Sequence, residues 1–509
     1  MREQENLFVG IDAGTTLIKA VVFDENGREL FIAQETSQVE SSQLDYQEMD
    51  MHKVWQAAQS AIKSLVKQVG KRAANIRTIG ITGQGCGAWL IDKEGEPVRK
   101  AILWTDQRAN DIVSGWAREG IAEKIYKISG CDPFSGAQSA IIKWLSIYEP
   151  DILRKASHAL YCKDWIRYKL TGRIAVDSSE GSISYVDIYK EQYSEDILNL
   201  IGIGAYRKLL PELQPCDEVS GTLLPEVATE LGLSTEVQVV GAAFDVSTSA
   251  IGVGAIADGD ACTIFGTALI SEVVIDKPNI EPLNVGFTIP LGIKNRWVRM
   301  VNTHLGMPNQ DWYLKNFCYE DYQQAEKEGK NIFDHLQQIL RTIPIGSEGV
   351  LFNPFIHAPG VRAPFLHKNA KGHFIGLAPH HTRHHLLRAL YEGIVLAVMH
   401  MYDNIPRPVK IVNFAGGGAR SDLWGQMLAD ALNVVVRVPN GSEFGAKGAA
   451  INAAVAAGYF DSYEAAVAKF ITYEREYDPD YEAHKKYKKL FAFYAPLYQT
   501  LGDTWENFA

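Results

Sequence analysis

Two short apolar runs pinned around a polar turn constrain this chain most. LFVGIDAGTTLIKAVVF occupies residues 7–23. Leu7, Phe8, Val9 and Ile11 form one β-prone run, Ile18 to Phe23 a second, and Asp24-Glu25-Asn26-Gly27 reads as a turn. The pattern predicts a β-hairpin whose connection is Asp12-Ala13-Gly14-Thr15-Thr16. Gly14 permits a tight bend and the close approach of a ligand. Backbone N–H groups around such a bend can point at phosphate oxygens. Thr15 and Thr16 add hydroxyl donors, and Lys19 follows in the second strand. Asp12, at the end of a buried strand, could hold a hydrated magnesium ion. An ordinary tight turn with a capping acid explains the same residues more plainly. The segment fits neither the P-loop nor the dinucleotide glycine pattern.

The chain has 509 residues, too many for one core. Strand-like and helix-like runs alternate through the first 250. Residues 51–70 carry apolar positions at helical spacing, 76–83 read as a strand entering a glycine turn, 137–149 as a helix and 237–244 as an apolar strand. This is α/β organisation. Near Ala255 the pattern starts again. GDACTIFGTALISEVVI at 259–275 echoes the opening hairpin, and Gly266-Thr267 repeats Gly14-Thr15. Two related halves, each with a phosphate-facing turn and facing each other, would form a cleft at a domain interface. A long helical run covers 381–402. A strand, a glycine turn and a helix cover 409–432, and a loop feeds a small-residue helix at 438–459. Beyond 470 the chain is rich in Tyr and Lys and reads as an aromatic helix on the surface.

Several residues carry candidate chemistry, each beside a plainer explanation. Asp245 follows the apolar stretch VVGAAF, where an isolated carboxylate is costly without a partner or a task. It is either the general base for an alcohol attacking phosphorus or the N-cap of the helix at Val246. Gly416-Gly417-Gly418, between a strand and a helix, clear space for a ring or phosphate, with the positive end of the helix near Ser421 or Asp422 facing it. Close helix–strand packing is the alternative. Gln84, in ITGQGCGAW, ends a strand and could reach a hydroxyl-rich substrate. Asp106 and Arg108, after the run ending in Trp104, form either a polyol clamp or a structural ion pair. His380, His381, His384 and His385 place two histidines one helical turn apart. They lack the H-E-x-x-H arrangement and a third ligand.

Composition narrows the partners. A net charge of −11 argues against nucleic acid. The six cysteines include no C-x-x-C pair, which fits a reducing compartment. No signal peptide or membrane span is evident, so a cytoplasmic protein is expected.

Taken together, the chain resembles the FGGY family of carbohydrate kinases. The matching stretches run in order: GIDAGTT (10–16), ITGQGCGAWLIDKEGEPVRKAILWTDQR (81–108), KDWIRYKLTGRIAVDSS (163–179), GAAFDV (241–246) and IFGTA (264–268). KGHFIGLAPHHTRHHLLRALYEGI (371–394), NFAGGGARSDLWGQMLADAL (413–432) and EFGAKGAA (443–450) complete them. The resemblance implies two ribonuclease-H/actin-like α/β domains around a deep interdomain cleft. It puts residues 1–252 in a sugar-binding, catalytic domain, 253–470 in a nucleotide domain and 471–509 in a helical tail. It also implies transfer of the ATP γ-phosphate to a sugar or polyol hydroxyl with Mg2+. Asp245 becomes the catalytic base and Asp12 the acid near magnesium. Gly14, Thr15, Thr16, Lys19, Gly266, Thr267, Gly416, Gly417, Gly418 and Ser421 are assigned to the nucleotide. Gln84, Cys86, Trp104, Asp106, Arg108 and Asp245 are assigned to the sugar. Beyond a small substrate, the expected partner is a second copy of the chain.

Departures bear on the substrate. Where glycerol kinases carry Arg-Glu and D-xylulose kinases Met-His after the glutamine, this chain has Gly85-Cys86. The segment Pro359 to Pro364 also departs from the family's G-E-R-x-P. The Gln-Gly-x-Gly arrangement, GAAFDV and AREGIAEKIY (117–126) look most like kinases of L-xylulose and related ketoses. Erythritol, glycerol and D-xylulose remain alternatives. An actin- or Hsp70-like ATPase and a noncatalytic sugar sensor are the rival classes.

Overall fold

The structure, a computed structural model, describes residues 5–303, 306–356, 365, 367 and 369–506. The segment Pro359 to Pro364 lies outside the described residues. The chain gathers into two compact units. The first comprises Met1–Asp258, Val274–Val298 and Gly441–Thr472, the second Gly259–Val273, Arg299–Asn440 and Tyr473–Ala509.

In the first unit the opening hairpin forms as the alternation predicts. Strands Leu7–Ala13 and Leu17–Phe23 pair antiparallel, with Asp12 opposite Lys19. Glu29–Thr36 extends the sheet antiparallel on one side. On the other, Ile76–Gly83 lies parallel to Leu7–Ala13, then Gln238–Gly241 parallel to Ile76–Gly83, and Gly221–Thr222 closes the edge antiparallel. A parallel pair cannot be joined by a tight turn, and helix Met51–Val69 supplies the crossover between the first two parallel strands. Asp50 caps that helix by accepting the His52 and Lys53 N–H groups, and its inner face buries Val54, Ala58, Ile62 and Leu65. The three parallel strands end at one edge, so Gly14, Gln84 and the segment leading to Asp245 all leave the sheet there. Carboxyl ends of parallel strands are where open α/β sheets bind ligands.

Helix Phe444–Ala456 returns to this unit late in the chain. Its small residues let it lie directly on the strands. A Cβ on Gly10 would stand 1.8 Å from the Ala446 carbonyl, and one on Gly80 1.8 Å from that of Ala449.

The second unit repeats the strand plan. Asp260–Phe265 and Leu269–Ile275 form an antiparallel pair, flanked beyond Leu269–Ile275 by Trp297–Thr303. Ile411–Gly416 lies parallel to Asp260–Phe265 and Val435–Pro439 parallel to Ile411–Gly416. Each unit is therefore an α/β fold of the ribonuclease-H/actin kind, and the echo between 7–23 and 259–275 is a repeat of topology. Tyr473–Tyr477 adds an edge strand that the sequence did not signal. The tail helix Tyr481–Glu506 is more than a surface element: Tyr487 and Tyr494 are fully buried, and Tyr494 donates to the Gly393 carbonyl at 3.2 Å. No helix among the described residues is long and apolar enough to cross a membrane.

Candidate active site

Asp12 and Asp245 share an electrostatic environment that resists ionisation. Burial pushes the Asp12 carboxyl up to about 6, against the pull of Lys19 and with the push of Glu443. Burial, then the charge of Asp12, pushes Asp245 up to about 7, partly offset by the Val246 N–H. The N-cap of helix Asp245–Gly252 is Phe244. Asp245 is the first helical residue, and its Oδ1 accepts the Val246 N–H at 2.7 Å. Asp245 is thus not the N-cap residue, though its Oδ1 takes one N–H of the helix's first turn. Lys19, the cation facing Asp12, is already paired with Glu443 at 2.7 Å. Two half-buried carboxylates, both held up by burial and one of them also by the other, with the nearby lysine engaged, suit a divalent cation, and Mg2+ is commonly held by one or two carboxylates together with substrate phosphates. Asp12 fits such an ion.

Close backbone packing fixes Asp245 in place. A Cβ on Gly252 would stand 1.9 Å from the Phe444 carbonyl, and one on Gly448 1.9 Å from that of Thr248. The EFGAKGAA stretch thus holds the helix that carries Asp245. Gly445 gives room to Asp12, whose Oδ2 would lie 2.6 Å from a Cβ there.

The Gly14–Thr16 turn is tied to the polar side chains at the neighbouring strand end. Thr15 Oγ1 donates to Gln84 Oε1 at 3.1 Å and accepts from Trp104 Nε1 at 3.0 Å. Gln84 is buried, whereas Trp104 is 39% exposed and keeps part of its indole open. Asp106 and Arg108 are enclosed. Arg108 Nε and Nη2 donate to Asp106 at 2.8 and 2.9 Å, and Nη2 also to Glu48 at 2.7 Å. Asp106 Oδ2 accepts the Gln47 N–H as well, and the guanidinium lies 3.9 Å from the centre of the Tyr46 ring. Only Arg108 Nη1 is left over, buried. The sequence weighed a polyol clamp against a structural ion pair, and these contacts are those of the ion pair.

Cys86 lies in a left-handed conformation, φ 61°, unusual for a residue with a side chain. Its thiol is buried, and burial first, then Glu180 and Asp245, keep it far from ionising. Its N–H donates to Glu180 Oε2 at 3.1 Å. Sequence reasoning missed Glu180, because a lone glutamate after DSS carries no motif. It also missed Phe244: a Cβ on Gly85 would fall 1.9 Å from its ring.

In the second unit, the three glycines separate by cause. Gly416 has φ 85°, and a Cβ there would meet the Phe265 carbonyl at 2.5 Å; one on Gly418 would meet the Phe265 side chain at 2.5 Å. Both belong to close packing. Gly417 is exposed and meets only the Phe265 carbonyl, at 3.9 Å. Ser421 is the N-cap of helix Asp422–Leu432, accepting the Trp424 N–H and donating to Gln337. Gly266 and exposed Thr267 form the hairpin turn, Gly266 N–H bonding the Ala268 carbonyl at 3.0 Å.

The histidines do bring donors together: Glu348, His380 and His381 each place one within 4.8 Å of the others. The hydrogen bonds work against a metal. His381 Nδ1 accepts the Ala378 N–H, and His385 Nδ1 the Thr382 N–H. In the neutral ring each Nε2 then carries the proton and is no ligand. His384 pairs with Asp321.

Residues 7–252 match the N-terminal domain of the FGGY family of carbohydrate kinases and residues 261–457 its C-terminal domain. A probable L-xylulose kinase of Pasteurella multocida is 29% identical, covering 88% of this chain and 90% of its own. Erythritol kinase of Brucella abortus is also 29% identical, covering 100% of this chain and 99% of its own. Among solved structures, a xylulose kinase from Lactobacillus acidophilus superposes with a TM-score of 0.89 at 23% identity, covering 99% of this chain and 100% of its own.

Proposed function

We propose, because the chain belongs to the FGGY family of carbohydrate kinases and so transfers phosphate from ATP to a sugar or polyol hydroxyl, that its acceptor is L-xylulose or a related ketose, phosphorylated at a terminal hydroxyl. The observation that carries this reading is the acceptor turn. At Gly85-Cys86 there is neither an ionised side chain nor an imidazole, only a thiol that stays neutral and donates weakly. Such a surface suits a different hydroxyl arrangement from one built around a histidine or an arginine.

In the reaction, the acceptor oxygen attacks the γ-phosphorus in line. The new O–P bond forms as the bond from that phosphorus to the bridging oxygen of ADP breaks. Asp245 takes the hydroxyl proton, a role supported by its raised affinity for protons near neutrality and by its place inside the helix rather than at the N-cap. Magnesium, bound at Asp12, would offset phosphate charge. The N–H groups of the Gly14–Thr16 turn are assigned to the phosphates, and Gly266, Thr267 and Gly417 to the nucleotide. Gln84 and Trp104, joined through Thr15, orient the acceptor relative to that turn. Asp106 and Arg108 support the Trp104 loop from within the fold. The protein is expected in the cytoplasm.

ADP release measured with L-xylulose, D-xylulose, L-ribulose, erythritol and glycerol at saturating ATP tests this. L-xylulose is expected to give the highest kcat/KM. A lead for erythritol or glycerol would overturn the ketose reading while leaving the kinase chemistry intact. A lead for D-xylulose would mean that Cys86 does not select.

A further inference from the structure

We propose that Glu180 is the positioning residue of the acceptor turn, its carboxyl holding Gly85-Cys86-Gly87 in the shape that selects the sugar. This rests on the reading that the turn faces the acceptor.

Glu180 has no solvent exposure and sits in helix Ser178–Ser182. Its Oε2 accepts the Cys86 N–H at 3.1 Å, and Oε1 is buried without a hydrogen-bond partner. Left-handed backbone at a non-glycine residue costs free energy and persists only where the surroundings hold it. The Cys86 N–H is bound by Glu180 on one side of the turn. On the other, Gly87 N–H reaches the Gly136 carbonyl at 2.9 Å. Gly85 is closed off by the Phe244 ring, which leaves no room for a side chain. The turn is thus shaped by three residues outside it, Glu180, Gly136 and Phe244, and Phe244 is followed directly by Asp245.

The neighbouring charges say which form the carboxyl takes. Lys163 bonds Asp177 and, at 3.0 Å, Asp164; Arg167 reaches Asp164 at 3.1 Å. These two cations and two acids, all buried, balance without Glu180. Burial therefore pushes Glu180 well above the usual carboxylate range, Lys163 opposing and Asp177 and Asp164 reinforcing it. A fifth buried charge has no counter-ion here. The neutral acid accepts the Cys86 N–H through one oxygen and places no negative charge behind the turn.

The full-length enzyme, assayed on the same sugar panel with KM and kcat separated, tests this. Glu180→Gln keeps a neutral acceptor of the same length. It is expected to hold kcat/KM within about 3-fold and to preserve the order of sugars. Glu180→Ala removes the acceptor and leaves the Cys86 N–H unpaired. KM for the leading sugar should rise about 10-fold, as losing one buried hydrogen-bond partner does. KM for ATP should stay near the parent's, and the margin over the second sugar should shrink. If the alanine variant does not fold, Glu180→Asp carries the test, since the shortened acid should show the same rise in KM. Unchanged sugar KM and selectivity in Ala or Asp, whatever their melting temperatures, would overturn the positioning role. Glu180→Gln failing as badly as Ala would overturn the neutral acid. A parent enzyme without sugar-dependent ADP release would instead sink the functional reading beneath it.

Discussion

Asp245 shows how far a single residue could be read. Its place after VVGAAF marked it as an acid that needed a reason; local pattern left base and N-cap level, and the family resemblance favoured the base. Backbone geometry separates them, because the cap falls on Phe244 and no local pattern fixes a helix start to one residue. Asp245→Asn keeps size and the bond to Val246 but cannot take a proton. Turnover should fall about 10²- to 10⁴-fold, with nucleotide binding by calorimetry unchanged; activity within a few-fold of the parent would remove Asp245 as base. The same variant has a stability signature. The folded carboxyl holds its proton up to about 7, the unfolded one near 3.8. The folded state therefore binds more protons in between, so the contribution of this group is complete below about pH 4 and is lost as pH rises through about 7. Asn has nothing to lose. Because the carboxylate is half-buried, its effect is discounted for solvent screening. In the ligand-free protein the melting temperature of Asn relative to parent should rise by about 2 °C or more between pH 4 and pH 8. A flat difference would show that Asp245 is not desolvated. Glu180 and Phe244 were illegible at this scale, since both act through a turn 94 and 159 positions away.

Elements were more legible than their partners. The hairpin at 7–23, the helix at 51–69 and the strand at 76–83 follow from apolar periodicity alone. Glycine-rich stretches did not, because packing and ligand binding call for the same residue. Cβ geometry divides 416–418 into two packing glycines and one open one. Gly417→Leu should therefore fold normally, with its side chain in open space, and weaken ATP binding at least several-fold while leaving sugar affinity without nucleotide unchanged. Unaltered ATP affinity would make the turn a structural device throughout. Gly448 gives the opposite case. Its backbone touches the helix of Asp245, so Gly448→Val must push that helix away. Overpacking of this kind costs about 1–3 kcal/mol. A lower melting temperature together with a fall in kcat is expected, and a stable variant with parental kcat would show that the two helices are not coupled through this contact.

At the scale of the whole molecule, sequence order and spatial order part company. The two matching strand plans could be read from the echo of Gly14-Thr15 in Gly266-Thr267. The return of residues 441–472 to the first unit could not. Helix Phe444–Ala456 is apolar nearly all round, with ten of its residues buried. Such a helix must be covered, but periodicity does not name the sheet that covers it. The glycines at 10 and 80 are its imprint, each clearing space for its backbone. A fragment ending at residue 252 keeps every strand of the first sheet and loses this helix. Its Phe8, Val21 and Phe23, buried in the intact chain, share the sheet face of Gly10, where Phe8 and Phe23 meet Phe470 of the segment the fragment lacks. The fragment should be insoluble or molten, with weak near-ultraviolet circular dichroism and strong dye binding. Adding residues 441–472 through a flexible Gly/Ser linker supplies the missing layer and should restore a cooperative melt. If the shorter fragment melts cooperatively by itself, the late helix is an accessory to the first unit, and the rigid seat argued for Asp245 loses its foundation.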